Sequence, residues 1–168
     1  MAFKETRPEQ MADNPFKLIG TDWMLITAGT PDAFNTMTAS WGGLGVLWER
    51  KVATCYVRPT RFTFEFVERS SYFTLSFFEE QYRKALTYCG THSGRNSDKI
   101  REAGLTPVKE KGLIYFQEAR LVLACRKMYA QDIDPGRFLD PTINDMYPQK
   151  DYHRMYIGEI EKCLVQDT

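Results

Sequence analysis

The sequence predicts one domain built mainly of antiparallel β-strands with a few short helices, and three observations carry that reading. Short apolar and aromatic runs recur along most of the chain, each closed by Gly, Pro or a polar turn. Successive runs in the first third are joined by only a few residues, enough for hairpins but not for the crossover of about a dozen residues that parallel strands need. At 168 residues the chain suits a single core that buries roughly two-thirds of the unfolded surface.

Residues 1–15 read as a loosely held N-terminal arm. Trp23–Ala28 is a compact apolar run stopped by Gly29 and Pro31, hence a buried strand. Strands follow at Asn35–Trp41, Leu44–Trp48 and Val52–Val57, separated by Gly42-Gly43 and Glu49-Arg50. Thr60 after Pro59 offers an N-cap, and Glu65 and Glu68 suit a short helix better than a strand through Phe62, Phe64 and Phe66. Tyr72–Phe78 is aromatic and β-branched, so it reads as a strand. Glu79–Tyr88 carries helix formers and closes on Gly90 as a C-cap. Asn96–Ala103 is a second short helix, capped by Asn96 or Ser97 and ended by Gly104 and Pro107. Leu113–Phe116, Ala119–Ala130 and Arg154–Val165 complete the strands, the longest of which should bend or bulge. Between Gln131 and Tyr152, Pro135, Gly136, Pro141, Pro148 and several aspartates mark a long surface excursion of the kind that is functional or disordered.

Twenty-two basic residues balance twenty-two acidic ones, so no long-range field favours a polyanion and nucleic acid is not an expected partner. The chain contains no apolar run long enough to span a membrane, and Lys4, Glu5, Arg7, Glu9 and Asp13 speak against a secretory signal. Cys55, Cys89, Cys125 and Cys163 are widely spaced, without the close pairs of a zinc or redox site, and read as buried reduced thiols of a cytoplasmic protein.

Four segments carry chemistry. In Asn35-Thr36-Met37-Thr38-Ala39-Ser40-Trp41 the strand period puts Thr36, Thr38 and Ser40 on one face and Met37, Ala39 and Trp41 on the other. Short hydroxyls ending at a Gly-Gly bend suit a flat heteroaromatic ligand, although a half-exposed strand and turn would look the same. Arg58-Pro59-Thr60-Arg61 combines two guanidinium groups and a hydroxyl with the free amides of a helix start, as a phosphate requires; pairing of both arginines with Glu65 and Glu68 is the plain alternative. Ser93-Gly94-Arg95-Asn96-Ser97-Asp98-Lys99 is a small polar loop whose cations could reach the same anion, or an ordinary capping turn. His153 stands at the entry to the last strand, where a histidine is more often solvated than catalytic.

Together these segments, with Tyr72–Phe78 and Gly104-Leu105-Thr106-Pro107, resemble the flavin reductase-like family, and its flavoredoxin-like branch more closely, from about Trp23 to Leu164. The resemblance implies a six-stranded antiparallel Greek-key split β-barrel, a homodimer, and one FMN per subunit near the subunit interface. It assigns Asn35, Thr36, Met37, Thr38, Ala39, Ser40 and Trp41 to the flavin ring, and Arg58, Thr60 and Arg61 to the phosphate. Ser93, Gly94 and Lys99 fall to the phosphate and ribityl end, Ser76 to a segment that approaches the cofactor, and His153 to the ring or its redox partner. FMN carries the two-electron chemistry in this family, so neither a protein nucleophile nor a metal is required. Two functions are implied: an NAD(P)H-dependent flavin reductase-type oxidoreductase, with an oxygenase or redox protein as partner, or an electron carrier with tightly held FMN and no nicotinamide site. The Asn-Thr-Met-Thr-Ala-Ser-Trp form and the excursion 131–152 lean toward the carrier.

Overall fold

The computed structural model describes residues 2–167. Its main sheet has eight strands, and all pairings are antiparallel: β1 (Phe3–Thr6), β2 (Met24–Gly29), β3 (Phe34–Ala39), β4 (Gly42–Leu47), β5 (Arg50–Val57), β6 (Tyr72–Phe77), β9 (Leu121–Asp132) and β10 (Arg154–Gln166). β7 (Pro107–Glu110) and β8 (Leu113–Phe116) form a separate hairpin. The order β3-β2-β6-β9-β10-β5-β4 leaves β3 and β4 at opposite ends. Only Ser40 and Trp41 connect these two strands, so the chain itself carries one end of the sheet to the other and closes the barrel without hydrogen-bonding it shut. Gly42 marks the seam, because a Cβ there would lie 2.8 Å from the Thr54 carbonyl oxygen on β5 and 3.1 Å from Cε of Met24 on β2.

Both faces of the sheet are covered, which is why β2 reads as an unbroken apolar run. Met24 and Ile26 join Phe73, Leu75, Leu123 and Tyr156 inside the barrel. Leu25 points the other way, toward a second core of Leu86, Cys89, Phe116 and Val122 beneath the helices and the β7–β8 hairpin. β9 and β10 are long enough to serve both layers and carry register shifts at Ile157/Gly158 and Ile160/Lys162. All four cysteines are buried free thiols.

Four expectations need correction, and one strand was not foreseen. The arm is not loose: Phe3–Thr6 pairs with Cys163–Gln166, and the Phe3 ring meets Tyr115 edge-on at 5.2 Å. The second helix, α2, spans Arg83–Thr91 and runs through Gly90, which serves close packing; a Cβ there would come within 3.2 Å of Cβ of Thr38. The third, α3, is only Lys99–Glu102, and its cap is Asp98, whose carboxylate accepts the Arg101 amide at 3.2 Å. The first helix, α1, is Phe62–Arg69, but it starts from an extended Arg61 rather than from Thr60. β7 gave no apolar signal and was not expected.

Candidate functional site

The end strand β3 bonds to β2 on one side only, so its outer edge turns unbonded main-chain groups toward a cleft. Edge exposure, rather than one face of the alternation, explains why Met37, Thr38, Ala39, Ser40 and Trp41 all line it. Tyr56, Arg58, Arg61 and His153 form the opposite wall, and the space between is about 180 Å³. A second depression of about 220 Å³ is lined by Thr60, Phe62, Thr63, Gly90, Thr91, His92, Ser93 and Lys99. The Arg61 side chain lines both. Neither alone reaches the roughly 300–1,000 Å³ of a small-molecule site, whereas the pair does. A roomier open groove of about 660 Å³, at Phe34, Ile100, Leu105 and Pro107, has no buried cation.

The hydroxyl row is not free as a row. Thr36 is buried and bonded to Thr27 Oγ1 at 2.8 Å and to the Ile26 carbonyl at 3.2 Å, and the Thr38 hydroxyl donates to the Leu86 carbonyl of α2. Of that row, Ser40 lines the cleft with a hydroxyl that has no hydrogen-bond partner among the described residues. Asn35 is buried and donates at 2.9 Å to Oγ1 of Thr63, which lines the second depression, and it packs closely on Gly94, where a Cβ would sit 2.3 Å from Asn35 Oδ1. Ser76 is the main correction: it is fully buried on β6 between Leu25 and Val122, and lines neither depression. Its hydroxyl lacks a protein partner among the described residues.

The cations divide by partner. Arg58 donates to Asp151 Oδ1 at 2.9 Å and to the Met146 carbonyl at 3.0 Å, with its guanidinium 4.7 Å from the centre of the Tyr147 ring. Arg95 is paired with Glu65 and lies over Phe62, so it is not open to an anion. Glu68 pairs with Arg154, leaving neither glutamate for Arg58 or Arg61. Lys99 is buried, and its ammonium donates only to the Cys89 and His92 carbonyls, each at 3.1 Å. Burial, with Arg61 nearby, holds Lys99 down to about 8. Burial and then Arg58 also lower Arg61. Among the described residues neither has a carboxylate partner. A desolvated pair of like charges with hydrogens to spare is costly unless an anion joins it, and phosphate oxygens fit that donor set. Thr60 and Ser93 add hydroxyls at the same place.

His153 is buried, with its ring 5.1 Å from that of Trp41 and 6.4 Å from that of Tyr56. Burial first, and the Arg58 charge second, depress it to about 4, so the imidazole is neutral at pH 7. Trp41, 42% exposed, leaves an aromatic surface open beside it. The structure thus brings together Met37, Thr38, Ala39, Ser40, Trp41, Arg58, Thr60, Arg61, Ser93, Lys99 and His153, with Asn35 and Gly94 at the margin and Thr36 and Ser76 in the core. Sequence reasoning missed Tyr56, whose place opposite Trp41 follows only from the β4–β5 pairing, and Tyr147, described below.

Residues 16–168 match the family described as flavin reductase like domain. The chain belongs to that family. Solved structures agree on the fold. An FMN-binding domain of a flavin reductases-like enzyme from Shewanella baltica superposes with TM-score 0.69 at 15% identity, covering 98% of this chain and 77% of that one. Flavoredoxin of Desulfovibrio vulgaris gives 0.68 at 22% identity over 98% and 77%. Nitrilotriacetate monooxygenase component B from Bacillus cereus gives 0.68 at 17% identity over 99% and 83%. No curated protein gives a significant match. Flavin reductase like membership accounts for the split barrel.

Proposed function

We propose that this chain binds FMN across the two depressions and works as a flavin reductase-type oxidoreductase that takes reducing equivalents from NAD(P)H. The carrying observation is the buried Lys99 with the partly buried Arg61 beside it, a pair that has no carboxylate partner among the described residues and adjoins a cleft with an aromatic wall. When bound, FMN supplies two-electron chemistry that no side chain here could perform. The protein's part is to bind and orient. Arg61 and Lys99 would meet the phosphate with Thr60 and Ser93, and the edge of β3 with Ser40 would satisfy the polar rim of the ring. Trp41 and His153 would border the face left open to a planar donor.

The excursion 131–152 favours a second reading, an electron carrier without a nicotinamide site. Arg58 and Asp151 clamp this segment onto the cleft wall, narrowing the room beside His153. Anaerobic addition of NADH or NADPH to the FMN-loaded protein separates the two. Rapid bleaching of the flavin band is expected for the reductase, whereas a yellow colour removed only by dithionite or a reduced protein supports the carrier. Protein that takes up no FMN on dialysis would refute both. We further propose a homodimer, supported by the exposed Val46, Leu47 and Trp48 at the β4–β5 hairpin beside Tyr129, and a redox protein or oxygenase as the recipient of electrons.

A further inference from the structure

Tyr147 is absent from every sequence-level expectation, yet two residues of the cleft wall, Arg58 and His153, both contact it. It is 5% exposed, and its phenol oxygen lies 2.7 Å from Nδ1 of His153. Among the described residues that hydroxyl has no other hydrogen-bond acceptor. A buried phenol without another acceptor satisfies its own hydrogen by donating to Nδ1, which puts the proton of the neutral imidazole on Nε2. Among the described residues Nε2 has no hydrogen-bond partner and it is not sealed from solvent, so it is the ring nitrogen open to the cleft that His153 lines.

The surroundings hold this pair in one arrangement. Arg58 grips the chain on both sides of Tyr147, at the Met146 carbonyl and the Asp151 carboxylate, and covers the ring itself. Phe138 and Tyr152 pack against the phenol ring at 6.3 and 4.9 Å. Lys150, at φ 55°, makes the tight return that brings residue 153 back over residue 147, and the Ile133 amide fixes the His153 carbonyl at 2.9 Å.

We propose that Tyr147 is a positioning residue: by donating to Nδ1 it locks His153 as the Nε2–H tautomer, so that the cleft presents one fixed N–H donor matched to a carbonyl oxygen of a planar heteroaromatic ligand. The ligand class rests on the FMN reading; the tautomer does not. A locked neutral donor recognises an acceptor and moves no proton. This makes His153 a ligand-orienting group and removes it as a general acid near pH 7.

The groups facing the imidazole are Arg58, Asp151, Tyr147, Tyr56 and Trp41, so a titration must separate the phenol from the charges. The test is a ¹⁵N-histidine NMR titration of the full chain, without and with FMN, using His92 as internal reference. In the unmutated protein the His153 proton is expected on Nε2, with a midpoint depressed by burial and by Arg58 to about 4. Tyr147→Phe keeps the ring and removes the donor, and should raise the His153 midpoint by a pH unit or more and shift the Nδ1 resonance. Tyr152→Phe removes a hydroxyl from the same segment, one that reaches Asn144 instead, and should change neither. A proton found on Nδ1, an unmoved midpoint in Tyr147→Phe, or an equal shift in Tyr152→Phe would overturn the proposal. Failure of the FMN reading would register separately, as absent flavin binding in protein whose His153 signals are as expected.

Discussion

Lys99 shows how much one side chain can say about an absent ligand. An ammonium group tucked under α2, bonded only to carbonyls, is held in its charged form less well than a solvated lysine, and burial brings it down to about 8. A phosphate beside it would favour the charged form and raise that value again. The complex then holds more protons than the free protein on the alkaline side, so FMN affinity should fall as pH rises above about 8. In Lys99→Met the affinity should be weaker at every pH, by about 10- to 100-fold for the loss of one charged hydrogen bond, and this pH dependence should vanish. Fluorescence titration of FMN from pH 7 to 10 checks both; an alkaline fall that persists in the variant would assign it elsewhere.

β3 lines the cleft, the segment 133–152 packs against the wall residues Arg58 and His153, and their roles differ for a topological reason. β3 ends the sheet, so its free edge can serve a ligand through the main chain, whatever its side chains do. That is why Thr36 can turn inward to Thr27 without cost to the site. The segment 133–152 has two short 3₁₀ turns and few main-chain bonds to the barrel, and depends on side chains to stay in place. Arg58 supplies the principal anchor. Arg58→Met should therefore accelerate limited proteolysis between Asp134 and Lys150 several-fold while lowering FMN affinity less than Lys99→Met does. Unchanged cleavage, with flavin loss as severe as in Lys99→Met, would make Arg58 a phosphate ligand instead. The same comparison explains an equivocal motif: Arg58-Pro59-Thr60-Arg61 looks like one anion site in sequence, but the turn sends its two guanidinium groups to different tasks.

With zero net charge, association is left to apolar surface, and three of the exposed apolar side chains, Val46, Leu47 and Trp48, cluster on the β4–β5 hairpin. Trp48 and Glu49 both adopt left-handed backbone, at φ 53° and 57°, in a tight turn that usually selects Gly or Asn. This holds Val46, Leu47 and Trp48 out into solvent, with Trp48 supported by Tyr129 at 6.2 Å. An apolar tip of this kind suits burial against a second copy. Sedimentation equilibrium is expected to give a dimer for the native chain and a shift toward monomer for Trp48→Asp, with the fold unaffected because the indole lies outside both cores.

Alternation and turn residues were enough to place most strands, because β2, β3, β5, β6 and β10 bury apolar side chains at spacings that only strands satisfy. Where burial is thin, as in β1 and β7, main-chain pairing makes the strand and composition is silent. The cations and His153 were legible as residue types, since phosphate chemistry demands particular groups wherever they fall. Partnership was not: that Arg95 meets Glu65, that Lys99 meets only carbonyls, that Ser76 lies in the core and that Tyr147 holds His153 depend on contacts between segments far apart in the chain or turned by one tight bend. Local periodicity constrains which way a side chain points from its own strand; only the closed barrel decides what it meets there.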